Sequence, residues 1–323
     1  MKKMIKKYIF VVVYFLLNVC TYSQILPSKS DVHIEIFPFM KILYGNINES
    51  LYYSKLPNQK CSHLEWEQKP VFLLGIGFNF IYKNSILCFD TCTGLPLGCG
   101  DLRDSDWNGN NIKTTYSISE SNINNYFSAN LYYKYKFVID KMKILPVAGI
   151  DYSYRTMSAR NAEGWYGQSE FSTDGKDHSW DSEYAKHFPD GKYKLAGIDY
   201  RNYIVSTFIG IQYIVDIVHN ISVGMDFLAS PYAYTFRKDH HLGNGGGVIQ
   251  YSQCHCIFNH FKASVFINYK INNILGLTAS IFGNYMLPTK GDCFDEEMFI
   301  SPQKTEYSEW NINSVMAVII YLK

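Results

Sequence analysis

The sequence predicts an all-β protein, a single ten-stranded antiparallel transmembrane β-barrel with long extracellular loops. Three observations predict it: several segments alternate apolar and polar residues, aromatic residues make up 16% of the 323 residues, and charged residues only 18%. Alternation with period two sends apolar side chains toward lipid and polar ones toward a wet lumen. Aromatic residues are enriched at both membrane interfaces. A soluble sandwich also alternates, but the 27 tyrosines and an export signal favour the barrel.

The amino-terminal residues have the pattern of a secretory signal peptide. Lysines occur at positions 2, 3, 6 and 7, and residues 8–17 form an apolar run too short to span a bilayer as a helix. Small residues around Ser23 offer a cleavage site. The expected domains are therefore a signal peptide at 1–23 and one outer-membrane barrel at 24–323. The net charge of +1 does not indicate the excess of positive charge that binding of nucleic acid requires.

The alternating segments give ten candidate strands separated by connectors of unequal length. Short turns are expected near residues 83–85, 141–143, 219–220 and 272–273, and long loops at 96–125, 161–197, 240–257 and 289–309. Short turns on one side and long loops on the other are typical of outer-membrane barrels. Ten strands leave a lumen largely filled by side chains, so a general porin is excluded. The expected strands are roughly 32–53, 61–82, 86–95, 126–140, 144–160, 198–217, 221–239, 258–271, 274–288 and 310–322.

Cysteine and histidine usage raises two further questions. Seven cysteines follow the signal segment, most of them in or beside expected loops, and export favours loop-to-loop disulfides whose pairing the sequence leaves open. A zinc site around Cys254, His255, Cys256, His260 and His241 is the alternative use. Its spacing fits no structural zinc pattern well, so no metal is expected.

Two short motifs carry the expected chemistry, Asp104-Ser105-Asp106 and Asp239-His240-His241. Residues i and i+2 of a strand point to the same face, so each motif can present two side chains together. Taken alone, either motif has the composition of an ordinary solvent-exposed loop and would not indicate a functional site. Facing each other across a barrel mouth, three acids and one imidazole could activate water for hydrolysis without a metal or a covalent nucleophile.

Over nearly the whole mature chain, the sequence resembles the omptins, outer-membrane endopeptidases built on a ten-stranded barrel. The residues that carry the resemblance are Leu43-Tyr44-Gly45 leading to Glu49, Leu64-Glu65-Trp66, Asp104-Ser105-Asp106-Trp107, Phe188-Pro189-Asp190-Gly191, Tyr200-Arg201-Asn202 and Asp239-His240-His241.

The resemblance implies a role for each residue of the two motifs. Asp239 and His241 would form the family's Asp–His dyad, with His241 as general base and Asp239 orienting it. Asp104 and Asp106 would hold and polarise the attacking water. The implied protein is a monomeric endopeptidase without a cofactor, with its active site on the extracellular side and surface or host proteins as substrates. A non-enzymatic adhesin that binds host proteins through the same loops is the alternative.

Two departures from the family concern substrate and lipid. Glu49 matches a pocket acid that receives a basic substrate side chain, but its partner acid is here Arg237, which could neutralise the pocket. Tyr152, Tyr154 and Tyr203 stand where the family binds lipopolysaccharide through charged residues. The expected partner there is outer-membrane lipid in plain acyl-chain contact, and dependence on lipopolysaccharide stays open.

Overall fold

The computed structural model describes residues 32–56, 58–189, 197–242, 247–294 and 300–322. The expected signal peptide lies outside this range. No helix in the described ranges is long and apolar enough to cross a membrane. Within these ranges the chain forms fifteen strands: β1 (Val32–Tyr52), β2 (Lys60–Tyr82), β3 (Ser85–Gly94), β4 (Gly98–Trp107), β5 (Lys113–Tyr135), β6 (Phe137–Ile139), β7 (Met142–Tyr166), β8 (Lys186–Phe188), β9 (Ile198–Val218), β10 (Ile221–Ser230), β11 (Ala233–His241), β12 (Val248–Cys256), β13 (His260–Lys270), β14 (Leu275–Phe294) and β15 (Ile300–Leu322).

These strands close into an antiparallel ring of ten, which confirms the predicted fold class. The first and last strands pair along most of their length, from Ile34 with Leu322 to Tyr52 with Lys304. In the lower half the ring runs β13-β10-β9-β7-β5-β3-β2-β1-β15-β14. In the upper half β4 replaces β3, while β11 and β12 replace β10 and β13. Within the described residues the ten-membered ring is closed on itself, as a membrane-spanning sheet requires, while the short strands β6 and β8 each pair only with β7.

Several expected boundaries are wrong because strands continue where long loops were predicted. The predicted loop 96–125 contains β4 and the first part of β5, and the predicted loop 240–257 contains β12. The predicted strand 221–239 is two strands that break at Pro231, since β10 pairs with β13 and β11 with β12. Above the membrane many outward positions are polar, such as Glu65 and Arg103, so the regular alternation that marks a strand disappears while backbone pairing continues.

An apolar belt surrounds the lower half of the barrel and locates the membrane. Every strand of the lower ring exposes large apolar side chains, and aromatic residues form the upper edge of the belt. Leu131, Ile150 and Val265 lie within the belt, and the aromatic residues at its upper edge include Tyr44, Tyr232, Tyr285 and Trp310. The strands beyond this edge form the wall of a cleft that stands outside the membrane.

Side chains fill the middle of the interior, as expected for ten strands. At the base of the cleft the rings of Trp66 and Tyr200 stack across the lumen at 5.2 Å. Below them Arg155 Nη2 donates to both carboxylate oxygens of Glu309 at 2.9 Å, and the hydroxyl of Tyr307 donates to the same carboxylate. Side chains therefore separate the cleft from the opposite mouth of the barrel.

The expected disulfides are not formed. The seven cysteines of the described chain are free thiols, and all but Cys61 are buried. Cys254, Cys256 and Cys293 lie on strands β12 and β14 rather than on exposed loops. The expectation was wrong because these segments were assigned to loops.

Candidate active site

Strand β4 carries Asp104 and Asp106 on one wall of the cleft. The two residues are two positions apart in a regular strand, so their side chains share the inner face with their partners Leu64 and Ser62 on β2. On the other side β5 presents Ser117 and Thr115 at the same levels. The sequence prediction that the two carboxyl groups point together is therefore met by the geometry.

Strand β11 carries Asp239 and His241 on a second wall. Asp239 pairs with Tyr200 on β9 and with Gln250 on β12, and His241 follows two residues later on the same face. Three strands, β9, β7 and β5, separate β11 from β4 around the upper ring. In a ring of ten, that spacing places the two pairs on facing walls.

Electrostatic influence crosses the cleft: the charge of Asp106 acts on His241, and the charge of Asp104 acts on Asp239. Burial raises the pKa of Asp104 to about 6. Burial, followed by the like charge of Asp104, raises the pKa of Asp106 to about 7. Burial lowers the pKa of His241, and the negative charge of Asp106 opposes that shift. The cleft therefore holds acids that titrate near neutrality beside an imidazole that is neutral there.

Asp239 lies in the most crowded position of the four. Only 5% of its surface is exposed. Burial raises its pKa well above the usual range, and the neighbouring carboxylate of Glu49 adds like charge. One carboxyl oxygen of Asp239 and one of Asp104 are buried without a hydrogen-bond partner in the described part of the chain. Buried polar atoms of this kind are usually satisfied by water or by a ligand.

Glu49 and Arg237 form a buried ion pair beside Asp239. Arg237 is 0% exposed and Glu49 2%, and the distance from Nη1 to Oε1 is 3.0 Å. Arg237 Nη2 also donates to Thr305 Oγ1 at 3.2 Å, and the guanidinium lies 4.7 Å from the ring centre of Tyr307. Arg237 therefore occupies the space beside Glu49 with its own side chain and neutralises its charge.

Sequence reasoning missed the side chains that hold this pair in place. Ser252 donates to Glu49 Oε1 at 2.8 Å, and Cys254 Sγ lies 3.3 Å from Arg237 Nη2. Ser252 and Cys254 lie on β12, which falls within the predicted loop 240–257. Thr305 lies on β15, in the part that falls within the predicted loop 289–309. A period-two pattern of small buried residues at 252, 254 and 256 was the available signal.

The side chains of the zinc alternative are directed to different places. The ring of His255 contacts the hydroxyl of Tyr232 at 2.8 Å on the outer face, and His260 contacts Ser206 and Asn284 in the lumen. Cys254 lies beside Arg237. Within the described ranges, no group of three or more histidine, cysteine or acidic side chains is arranged to hold a metal ion.

Comparison with known proteins decides the family. The model of the omptin family matches residues 33–297, most of the chain and all six site residues. This chain belongs to the omptin family. It is thus an outer-membrane β-barrel of the omptin type. The crystal structure of the outer membrane protease OmpT from Escherichia coli is similar to it, with a TM-score of 0.75 and 16% identity, covering 93% of this chain and 99% of that one.

Other outer-membrane barrels resemble this omptin far less. The toluene transporter TodX from Pseudomonas putida has a TM-score of 0.32 at 10% identity, covering 93% of this chain and 91% of its own. OprG from Pseudomonas aeruginosa has a TM-score of 0.35 at 8% identity, covering 91% and 96%. No curated protein matches the sequence significantly.

Proposed function

We propose that this omptin-type outer-membrane protease is an endopeptidase that hydrolyses surface or host proteins with a water molecule activated between its two walls. The observation that supports this proposal is the meeting of Asp239 and His241 with Asp104 and Asp106 in one cleft beyond the membrane belt. The cleft lies at the end of the barrel opposite the tight turns, so it faces the extracellular side in this proposal. The protein acts as a monomer, since one barrel supplies all four residues.

The protonation states suit general-base catalysis by His241. Because burial lowers its pKa, the imidazole is neutral at pH 7 and can accept a proton from water. The water oxygen then attacks the peptide carbonyl carbon while its proton moves to His241. Asp106, whose negative charge acts on His241, stabilises the resulting imidazolium, and Asp239 on the same strand face orients the ring. When the tetrahedral intermediate collapses, the C–N bond breaks and His241 returns the proton to the leaving amine.

The carboxyl couple on the opposite wall holds the attacking water. Asp104 has a buried carboxyl oxygen without a hydrogen-bond partner in the described structure, and Asp106 lies on the same face two residues away. An ionised carboxylate accepts hydrogen bonds from water and directs its lone pair toward the substrate. The reaction needs no covalent enzyme intermediate and uses only groups of this chain.

Hydrolysis should weaken as pH falls through the pKa values of this couple. Protonation of Asp106 near pH 7 and of Asp104 near pH 6 removes the charge that orients the water. We expect kcat/KM to be near its plateau at pH 8, to fall about tenfold between pH 7 and pH 6, and to approach a fall of about 100-fold per pH unit below pH 6, where both groups are protonated. Initial rates on one peptide between pH 4.5 and 9 measure this profile. A flat profile over that range would contradict the assigned role.

The raised pKa values of Asp104 and Asp106 also affect the stability of the fold, but in the opposite direction: activity falls at low pH, whereas their contribution to stability falls at high pH. A carboxyl group whose pKa is raised on folding binds protons more tightly in the native state, so stability falls as pH rises from about 4 through 7. Protonation of these carboxyl groups therefore does not destabilise the fold. If activity and stability are lost together at low pH, the cause is acid unfolding. Circular dichroism at each pH separates that outcome from protonation of the couple.

The experiment that tests the function is cleavage of a mixed peptide library by the refolded protein in detergent. The control is the double variant Asp104→Asn, Asp239→Asn, whose folding is checked by circular dichroism. Cleavage by the native protein alone supports the proposal. The adhesin alternative predicts no cleavage by either folded protein and binding of host proteins by both.

We infer that lipid contacts the upper edge of the belt through tyrosines rather than through charged groups. The rings of Tyr154 and Tyr203 lie 4.8 Å apart on the outer face, and Phe127 and Tyr152 form a second pair at 6.2 Å. Aromatic rings pack against acyl chains without recognising a phosphate. We expect added lipopolysaccharide to change kcat/KM less than about twofold, measured by peptide cleavage with and without it. An increase of a hundredfold would overturn this inference.

A further inference from the structure

A second cavity lies at the opposite mouth of the barrel, among the tight turns. It has a volume of about 710 Å³, within the range of about 300–1,000 Å³ that small-molecule sites occupy. The stacked Trp66–Tyr200 pair and the Arg155–Glu309 network lie between it and the cleft. The cavity is therefore separate from the residues proposed for hydrolysis.

Lysine side chains converge on this cavity from several strands. Two lie at the end of β5 and just beyond it, one in the β6–β7 turn, one at the start of β7 and one at the end of β13. All five line the cavity and therefore face the lumen rather than the lipid surface. The five are Lys134, Lys136, Lys141, Lys143 and Lys270.

The cavity holds fewer acids than lysines. Its carboxylates are Glu35 and Asp216. Asp216 is bound by Lys143 at 2.8 Å, and Glu35 accepts a hydrogen bond from Asn79 at 2.7 Å. In the part of the chain that the structure describes, Lys136, Lys141 and Lys270 make no ion pair within 4.0 Å. Among the residues that line the cavity, an excess of positive charge therefore remains.

The surroundings of the cavity strengthen this positive potential. The barrel wall around it is embedded in hydrocarbon, and a cleft of one charge with low-dielectric walls focuses the field toward its opening. Mutual repulsion of the ammonium groups is relieved when an anion binds among them. Asn268 and Gln212 also line the cavity, where their amide groups donate to Ser222 Oγ at 3.3 Å and to Asp226 Oδ1 at 2.7 Å.

We propose that this turn-side cavity is a binding site for an anion that carries two or more phosphate groups. Lysine binds phosphate as a point charge with three donors, and several lysines from different strands fit several phosphates rather than one flat carboxylate. The source is either a soluble polyphosphorylated compound or the headgroup of an anionic phospholipid in the adjacent leaflet. This inference does not depend on the proposed hydrolysis.

Calorimetric titration of the refolded protein with tripolyphosphate, in an uncharged detergent, tests the site. We expect about one anion bound per barrel, with an affinity that falls as salt is added because the contacts are ionic. The triple variant Lys136→Gln, Lys141→Gln, Lys270→Gln should bind at least ~10-fold more weakly. The triple variant Lys60→Gln, Lys238→Gln, Lys304→Gln makes the same change of net charge at the cleft end and should bind as the native protein does.

The outcomes separate a site from general electrostatic attraction. Equal weakening in both triple variants, or no binding by the native protein, overturns the proposal. Titrations in nanodiscs with and without cardiolipin, an anionic phospholipid that carries two phosphate groups, then identify the source. If the anionic lipid abolishes tripolyphosphate binding, the site takes headgroups, and if binding persists it takes the soluble anion. Circular dichroism of each variant excludes misfolding as the cause.

Discussion

Replacement of Asp239 by asparagine should reduce kcat/KM for peptide hydrolysis by roughly 10³-fold or more, because it removes the carboxyl group that we propose orients the general base His241. The side chain keeps its size, so the packing against Tyr200 on β9 is preserved. The change also removes a buried acid whose pKa is raised, so the folded barrel should not lose stability at neutral pH. Cleavage of a single fluorogenic peptide by equal amounts of folded protein measures the loss.

The matched control is Asp199→Asn. Asp199 lies on β9 opposite His240, close in height to the site, but it pairs with Arg160 at 2.5 Å outside the cleft. We expect its activity within about twofold of the native value, since an exposed ion pair contributes little. A parallel His241→Gln variant should match the loss in Asp239→Asn. Full activity in either active-site variant would contradict the assigned dyad.

Replacement of Arg237 by serine should open a pocket for basic substrate side chains. In the native protein the guanidinium of Arg237 lies beside Glu49 and leaves no unpaired charge for a substrate to meet. We therefore infer that the native enzyme does not prefer basic residues at this position. Without Arg237, the Glu49 carboxylate remains in a buried space about the size of an arginine side chain. We expect kcat/KM for a peptide with arginine there to rise about 10- to 100-fold, measured against its norleucine analogue.

The variant should also lose stability, because a buried carboxylate without its partner costs about 3–5 kcal/mol. Methylguanidinium added in solution should restore part of that stability by taking the place of the side chain, as detected by thermal unfolding. The double variant Glu49→Gln, Arg237→Ser should lose both the rescue and the new preference. If the double variant still preferred arginine, Glu49 would not be the recognising group.

Arg155→Ser provides the control for a buried arginine that is not at the cleft surface. Arg155 pairs with Glu309 below the stacked rings of Trp66 and Tyr200. It is almost as buried as Arg237, with 2% of its surface exposed against 0%. We expect a comparable loss of stability without a change in the residues preferred at the cleaved bond. A change of preference in this control would show that specificity follows barrel stability rather than the pocket.

Much of the site followed from local pattern. Asp104 and Asp106 share a face because strand periodicity is a property of adjacent residues, and the same holds for Asp239 and His241. The expectation that Arg237 neutralises Glu49 came from the family resemblance, and the structure places the two side chains in contact across 188 positions of sequence (237 minus 49). Ser252, Cys254 and Thr305 escaped notice because their strands were read as loops.

By itself, the sequence determined that the chain is a barrel of ten membrane-spanning strands. Outward apolar and inward polar residues alternate locally wherever a strand meets lipid, so each strand can be recognised from its own residues. The tertiary structure alone decided how far the strands rise above the membrane, since there the outward residues are polar and only backbone pairing marks a strand. It also decided which side chains meet across the lumen. Closure of β1 against β15 and the change of partners near Pro231 set those contacts, and both are pairings between residues distant in sequence.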